Sequence, residues 1–194
     1  MAGLDLPIIP VRHEFCITVP CDDMNPNLPV LRIPDLGIYI RAEVNSILIG
    51  GWESTALSLD PRQRSAQDPM PAIEEDWDVL AGFAKKMSSM LPCLKSLGIR
   101  HVFKGWPTFV PDGKFIIGES RNCPGFIMAG GCNAHGVSGS AGIGRHVVES
   151  MLDEDPSDYV KSLSPDRFLD QEWDWQGAQQ QAKNVYQTYY SIDH

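Results

Sequence analysis

The sequence predicts an α+β domain, an antiparallel β-sheet packed by a few helices. Three observations carry that expectation. Alternating or apolar segments of strand length recur near residues 9–19, 37–51, 99–118 and 126–129, with turn-forming residues between them. One segment, 73–91, repeats its apolar positions at three- and four-residue steps, the signature of an amphipathic helix. Finally, the strand-like Phe126–Ala129 runs into a glycine-dense loop and then a run of small residues with helical character.

Residues 9–19 alternate, placing Ile9, Val11, Phe15, Ile17 and Val19 on one face and Arg12, Glu14 and Thr18 on the other, as a half-buried strand does. Gly37–Ala42 and Ile47–Gly51 flank Glu43-Val-Asn-Ser46 and read as a hairpin in which Asn45 takes the turn conformation. Thr55–Pro71 is polar and holds three prolines, so it reads as an exposed connection. From Ile73, the positions Trp77, Leu80, Phe83, Ala84, Met87, Met90 and Leu91 mark one helical face, with Glu74, Glu75 and Asp76 where the helix dipole favours acids. Pro92 ends or kinks this helix, and Gly98 closes the segment. Ile99–Val110 and Lys114–Gly118 read as a second antiparallel pair joined through Pro111-Asp112-Gly113, whose residue types suit a tight turn. A helix from about Ser138 to Leu152 follows the glycine loop and stops at Asp153-Glu-Asp-Pro156. In the tail, Trp175, Ala178, Ala182, Val185, Tyr186 and Tyr189 share a helical face that should dock against something.

At 194 residues the chain can form one ordinary domain with a short appendage, divided here as 1–160 and a helical extension or linker, 161–194. A formal charge of -9 argues against nucleic acid or an anionic membrane as partner, since phosphate binding rests on clustered Lys and Arg. The acids concentrate at Glu74–Asp78 and Asp153–Asp158, which read as solvated helix ends or loops. The N-terminus lacks a basic n-region and breaks its apolar run at Pro7 and Pro10, so no signal peptide is expected, and no stretch suits a bilayer span. Five irregularly spaced cysteines point to a reducing compartment, cytoplasm or mitochondrial matrix. Cys132 and His135 form a Cys-x-x-His step, but no second ligand pair stands at matching spacing, so no metal is expected.

The segment Gly125–Gly144 has the makings of a cofactor cradle: glycines let the backbone approach a ligand, and a helix start offers N–H groups and partial positive charge. It is not a self-sufficient nucleotide site. Its Gly142-Ile-Gly144-Arg-His-Val147 frame ends in Val147 and falls inside the expected helix rather than at a strand-to-helix turn. Small residues such as Gly139, Ala141, Gly142 and Gly144 equally suit close packing of that helix on a neighbour. Cys132 stands where a helix start would lower a thiol pKa, which makes it either reactive or a small buried filler. His135 either contacts a ligand or is satisfied by backbone. A thiol enzyme centred on Cys132 and His135 is a rival reading, although no orienting acid or amide is evident.

Taken with its surroundings, this segment resembles the C-terminal, flavin-contacting piece of the D-amino-acid-oxidase-like FAD-dependent oxidoreductases, with sarcosine and dimethylglycine dehydrogenases as the nearest members. Gly105-Trp-Pro-Thr-Phe-Val-Pro-Asp-Gly113 is similar to the strand beneath the flavin, and Phe115-Ile-Ile-Gly118 to its partner. Asp166-Arg-Phe168 followed by Ala182–Tyr190 resembles the segment leading towards a folate-binding aminomethyltransferase unit. The resemblance implies FAD contact by Gly130, Gly131, Cys132, Asn133, Ala134, His135, Gly136 and Val137, with Thr108, Pro111 and Asp112 near the ring and His135 in a catalytic role. It also implies that Tyr39, Arg41 and Trp52 face a substrate cavity, although Arg41 is equally a strand-surface charge. The implied reaction is oxidation of a secondary or tertiary amine such as an N-methylated amino acid. The family's adenine-binding half has no counterpart in this sequence, so the implied partners are that N-terminal half or a partner chain, a small-molecule amine, and a second copy in a homo-oligomer. The missing half also fits a non-catalytic regulatory module of the same architecture. Two departures stand out: no cysteine lies at 105–108 to tether flavin, and Ser138 stands where sarcosine oxidases carry a carboxylate-binding Lys.

Overall fold

The computed structural model describes residues 2–22, 24–65 and 67–190. In chain order the strands are β1 Ile9–Pro10, β2 His13–Thr18, β3 Leu31–Ile33, β4 Ile38–Glu43, β5 Ser46–Gly51, β6 Ile99–Gly105, β7 Thr108–Phe109, β8 Ile116–Ser120 and β9 Cys123–Gly130. The helices are α1 Trp77–Met87, α2 Ser140–Leu152, α3 Asp158–Lys161 and α4 Trp175–Gln187. They form two compact units that interleave along the chain. One comprises Met1–Val11, Leu57–Ala66 and Pro107–Tyr186, the other Arg12–Ala56, Gln67–Trp106 and Gln187–His194.

The second unit is a five-stranded antiparallel sheet in the order β3-β4-β5-β2-β6. Its core joins Cys16, Ile38, Ile40, Ile47 and Ile49 of the sheet to Leu80, Phe83 and Met87 of α1. Each aliphatic side chain buried there contributes about 1.5–3 kcal/mol of transfer free energy, which fixes which sheet face is inside. The β4–β5 hairpin forms as its sequence suggests, but the positive φ of its turn falls on Val44, at 58°, rather than on Asn45. α1 begins at Trp77 rather than Ile73, because the Asp76 side chain caps it by accepting from the Val79 N–H at 3.2 Å. Trp77 therefore lies off the buried face, 56% exposed, and the helix has ended by Met87, before Pro92 opens a short 3-10 turn.

The alternation read through residues 9–19 does not run through. β1 and β2 belong to different sheets, and the buried residues of β2 are Glu14, Cys16 and Thr18, which leaves Phe15 and Ile17 on the opposite face. The phase changes because the chain leaves one unit for the other between Val11 and Arg12. Burial of Glu14 is tolerated because its carboxylate accepts from the Asp76 N–H at 3.1 Å and faces Arg12 Nε at 3.4 Å. The same guanidinium reaches Glu53 at 3.0 Å and Asp76 at 2.7 Å.

In the first unit β1 pairs with β7, and β8 with β9. The expected pairing of 99–110 with 114–118 is therefore overturned: β6 joins β2, Trp106-Pro107 interrupts the run, and β7 turns to β1. The turn between them does form, with the Gly113 N–H donating to the Val110 carbonyl at 2.9 Å. Val110, Ile116 and Phe168 make a core, and α4 buries Ala178, Ala182 and Tyr186, the last set edge-on to Phe109 at 5.4 Å. The Ile117 N–H donates to the Leu163 carbonyl at 2.9 Å and Ser120 Oγ to Asp166 at 2.7 Å, so the chain beyond residue 160 packs within this unit as far as Tyr186.

Candidate functional site

β9 delivers the chain at Gly130 into a loop with three left-handed residues, Gly131 (φ 60°), Asn133 (45°) and Ala134 (61°). Glycine is required at 131 by the protein's own packing, since a Cβ there would lie 2.3 Å from Val110 Cγ2. Asn133 is 2% exposed and ties the loop down three ways. Its N–H donates to the Thr108 carbonyl at 3.0 Å, its Oδ1 accepts from the Val110 N–H at 2.9 Å, and its Nδ2 donates to the Gly113 carbonyl at 3.0 Å. Asparagine also tolerates the left-handed region, so one residue meets both demands. His135 is held from two sides, its N–H donating to the Cys132 carbonyl at 2.7 Å and Nδ1 to the Asn133 carbonyl at 2.8 Å.

The N–H groups of Asn133 and His135, expected to face a ligand, are thus taken by the Thr108 and Cys132 carbonyls. Those of Ala134, Gly136, Val137 and Ser138 have no partner among the described residues, and all four residues are exposed, Val137 at 92%. They precede α2, whose first turn carries no acid. Such a donor set at the positive end of a helix suits an electron-rich edge, such as the pyrimidine ring of a flavin. The packing alternative holds at Gly139, where a Cβ would fall 2.9 Å from the His135 carbonyl oxygen and 3.5 Å from the Phe115 ring, but not at Gly142 or Gly144, where a Cβ would meet nothing within 4 Å.

Thr108 anchors this loop through its carbonyl, and Asp112 stands in the turn whose Gly113 carbonyl Asn133 holds. Asp112 caps its turn by accepting from the Lys114 N–H at 3.1 Å and pairs with Arg167 Nε at 2.8 Å. Pro111, beside it, lines a cleft of about 480 Å³ with Asp112, Phe168, Trp173 and Gln181. Cys132 corrects an expectation: burial pushes its thiol up rather than down, so desolvation outweighs the helix start and disfavours the thiolate.

In the other unit, Tyr39 and Arg41 stand on the sheet face opposite the core, in register with Gly50 and Leu48. The Tyr39 ring lies over Gly50, where a Cβ would fall 2.4 Å from the hydroxyl. That hydroxyl meets His13 Nε2 at 2.9 Å, and the His13 ring stacks on Trp52 at 4.8 Å. Burial pushes His13 down to about 4, so the imidazole is neutral at pH 7, and holds Tyr39 well above its ordinary range. Arg41 is largely exposed and paired with Glu43. The sequence reading of this face lacked His13, because only the register of β2 against β5 brings it to Tyr39 and Trp52. Aromatic faces beside a neutral hydrogen-bonding pair suit an ammonium or amine, and Arg41 a carboxylate.

The family model described as FAD dependent oxidoreductase matches residues 1–150. The chain is 26% identical over 167 residues to the 4-methylaminobutanoate oxidase (formaldehyde-forming) of Paenarthrobacter nicotinovorans, covering 86% of this chain and 20% of that protein. Mitochondrial sarcosine dehydrogenase of Mus musculus is 25% identical over 168 residues, with 87% and 18% covered. The mitochondrial pyruvate dehydrogenase phosphatase regulatory subunit of Mus musculus is 31% identical over 166 residues, with 85% and 19% covered. Among solved structures, L-proline dehydrogenase from P. horikoshii matches with a TM-score of 0.64 at 22% identity, over 86% of this chain and 42% of that one. The chain spans about a fifth of the length of these curated relatives.

Proposed function

The chain belongs to the FAD dependent oxidoreductase family, and from that premise we propose that it is the substrate-side and C-terminal flavin-contacting portion of an amine-oxidising enzyme. The substrate class is a secondary or tertiary amine such as an N-methylated amino acid, in keeping with the relatives named for 4-methylaminobutanoate and sarcosine. The observation that carries this reading is the loop before α2, held by left-handed backbone, with four N–H groups that have no partner among the described residues.

FAD, when bound, supplies the acceptor for the hydride that leaves the amine. Ala134, Gly136, Val137 and Ser138 would hold the pyrimidine edge of its ring through their N–H groups, a contact that stabilises negative charge there by about 1 kcal/mol or more. Gly130, Gly131, Cys132 and Asn133 shape the loop, Thr108 anchors it through its carbonyl, Pro111 and Asp112 would lie near the ring, and His135 would donate to it. Tyr39, Trp52 and His13 would receive the amine, Arg41 its carboxylate. Because His13 is neutral, it adds no positive charge to repel an ammonium. The remaining contacts come from an N-terminal FAD-binding half or partner chain, and assembly with further copies is compatible with this reading. Two of the relatives named above are mitochondrial, which favours the matrix. No helix among the described residues is long and apolar enough to cross a membrane. A second reading, a non-catalytic module, rests on the 31% identity to the phosphatase regulatory subunit.

The test compares the isolated chain with one joined to an N-terminal FAD-binding half. The isolated chain should be colourless, because ring contacts alone do not offset immobilisation of so large a ligand. The joined chain should carry flavin that dimethylglycine or sarcosine bleaches, with His135→Ala lowering the rate and Cys132→Ser doing little. A joined chain that holds flavin but is bleached by no N-methylated amino acid favours the binding module, and one that holds no flavin sinks the cradle assignment.

A further inference from the structure

Trp52 stacks on two rings, His13 and Tyr189, the latter with centroids 4.5 Å apart and planes 26° from parallel. Tyr190 closes the edge of the same indole at 5.8 Å and packs edge-on to Tyr189, and Arg32 sits over the Tyr190 ring at 5.6 Å. Gln187 fastens the start of this stretch by donating from its side-chain amide to the Ser54 carbonyl. As a result the indole, on the sheet face that also carries Tyr39 and His13, is only 8% exposed.

We propose that Gln187–Tyr190 is a strap that closes this aromatic site, and that a ligand reaches Trp52 only after Tyr189 swings off the indole. The chemistry of the contacts suits a gate. Stacked and edge-on rings attract through dispersion and quadrupole terms and hold well in one geometry. A cationic amine would compete for the same ring face, since an ammonium is attracted to the face of a tryptophan that Tyr189 now occupies. The strap and the ligand therefore exclude one another. The identity of the ligand rests on the amine-oxidising reading above, whereas the strap itself does not.

The experiment uses the full chain, its Tyr189→Ala/Tyr190→Ala variant and the conservative Tyr189→Phe. Trp52 accessibility is read by acrylamide quenching, with Trp52→Phe as the spectral blank, and dimethylglycine binding by the shift of the His13 imidazole resonances. Removing both rings should raise the quenching constant of Trp52 severalfold and tighten dimethylglycine binding by about 10-fold or more, while Tyr189→Phe stays close to the parent on both measures. Unchanged quenching in the double variant overturns the strap, even if dimethylglycine binds more tightly. Raised quenching with no dimethylglycine binding upholds the strap and removes the amine reading of this face instead.

Discussion

Gly131→Ala is the substitution that most sharply separates packing from ligand approach in the loop before α2. The added Cβ would sit 2.3 Å from Val110 Cγ2, whereas carbon atoms in contact sit about 3.5–4.0 Å apart, so the neighbours must give way by more than 1 Å. Val110 is fully buried and belongs to the core with Ile116 and Phe168, so there is little free space to take up the shift. Overpacking of this kind costs about 1–3 kcal/mol, and a left-handed φ of 60° on alanine adds about 1 more. The expected loss is therefore about 2–4 kcal/mol, in the chain alone and without flavin. Val110→Ala removes the clashing methyl group. Although it costs stability by itself, the double variant should be more stable than the sum of the single changes by about 1–3 kcal/mol. Urea unfolding followed by circular dichroism measures all four corners of the cycle. Gly136→Ala serves as the contrast, since a Cβ there meets only Cys132, at 3.7 Å, and should leave the midpoint unchanged. A Gly131→Ala chain within about 0.5 kcal/mol of the parent, or a cycle with no coupling, would refute the reasoning and return Gly131 to a role in ligand approach alone.

Three further outcomes follow from the same structure. His13 titrates near 4 when folded and near 6.5 when unfolded, so the unfolded chain takes the proton first; the stability is present above pH 6.5 and should fall by about 3 kcal/mol on the way to pH 4, a slope that His13→Gln removes in urea titrations at stepped pH. Asn133→Ala strands the buried Val110 N–H and puts alanine at a φ of 45°, and should cost about 2–4 kcal/mol; a midpoint close to the parent would show that the loop holds without its anchor. Arg12→Met leaves the carboxylates of Glu14 and Glu53, 3% and 7% exposed, without their cation and should cost about 3–5 kcal/mol at pH 7. That deficit should shrink towards pH 5, because burial already holds Glu53 above its usual range and protonation then comes easily; an equal deficit at both pH values contradicts the assignment.

The sequence by itself determined the class of fold and where most elements lie. The apolar period of α1, the Ile-rich hairpin of β4 and β5, the tight turn at Pro111-Asp112-Gly113 and the face of α4 are local patterns, and local physics suffices to read them. The glycine loop before α2 was legible for the same reason. Tertiary structure alone decided the pairing of strands and the faces they bury. Residues 9–19 and 99–110 each read as one strand, yet each is divided between two sheets, because strand partners distant in sequence leave no periodic mark in either segment. The same holds within the site. His13 reaches Tyr39 and Trp52 through the register of three strands, Asn133 turns its N–H inward to Thr108, and Cys132 is raised by burial, none of which is visible from residue type or spacing. Even the need for glycine at 131 comes from Val110, 21 positions away in sequence, because close packing is a property of neighbours in space.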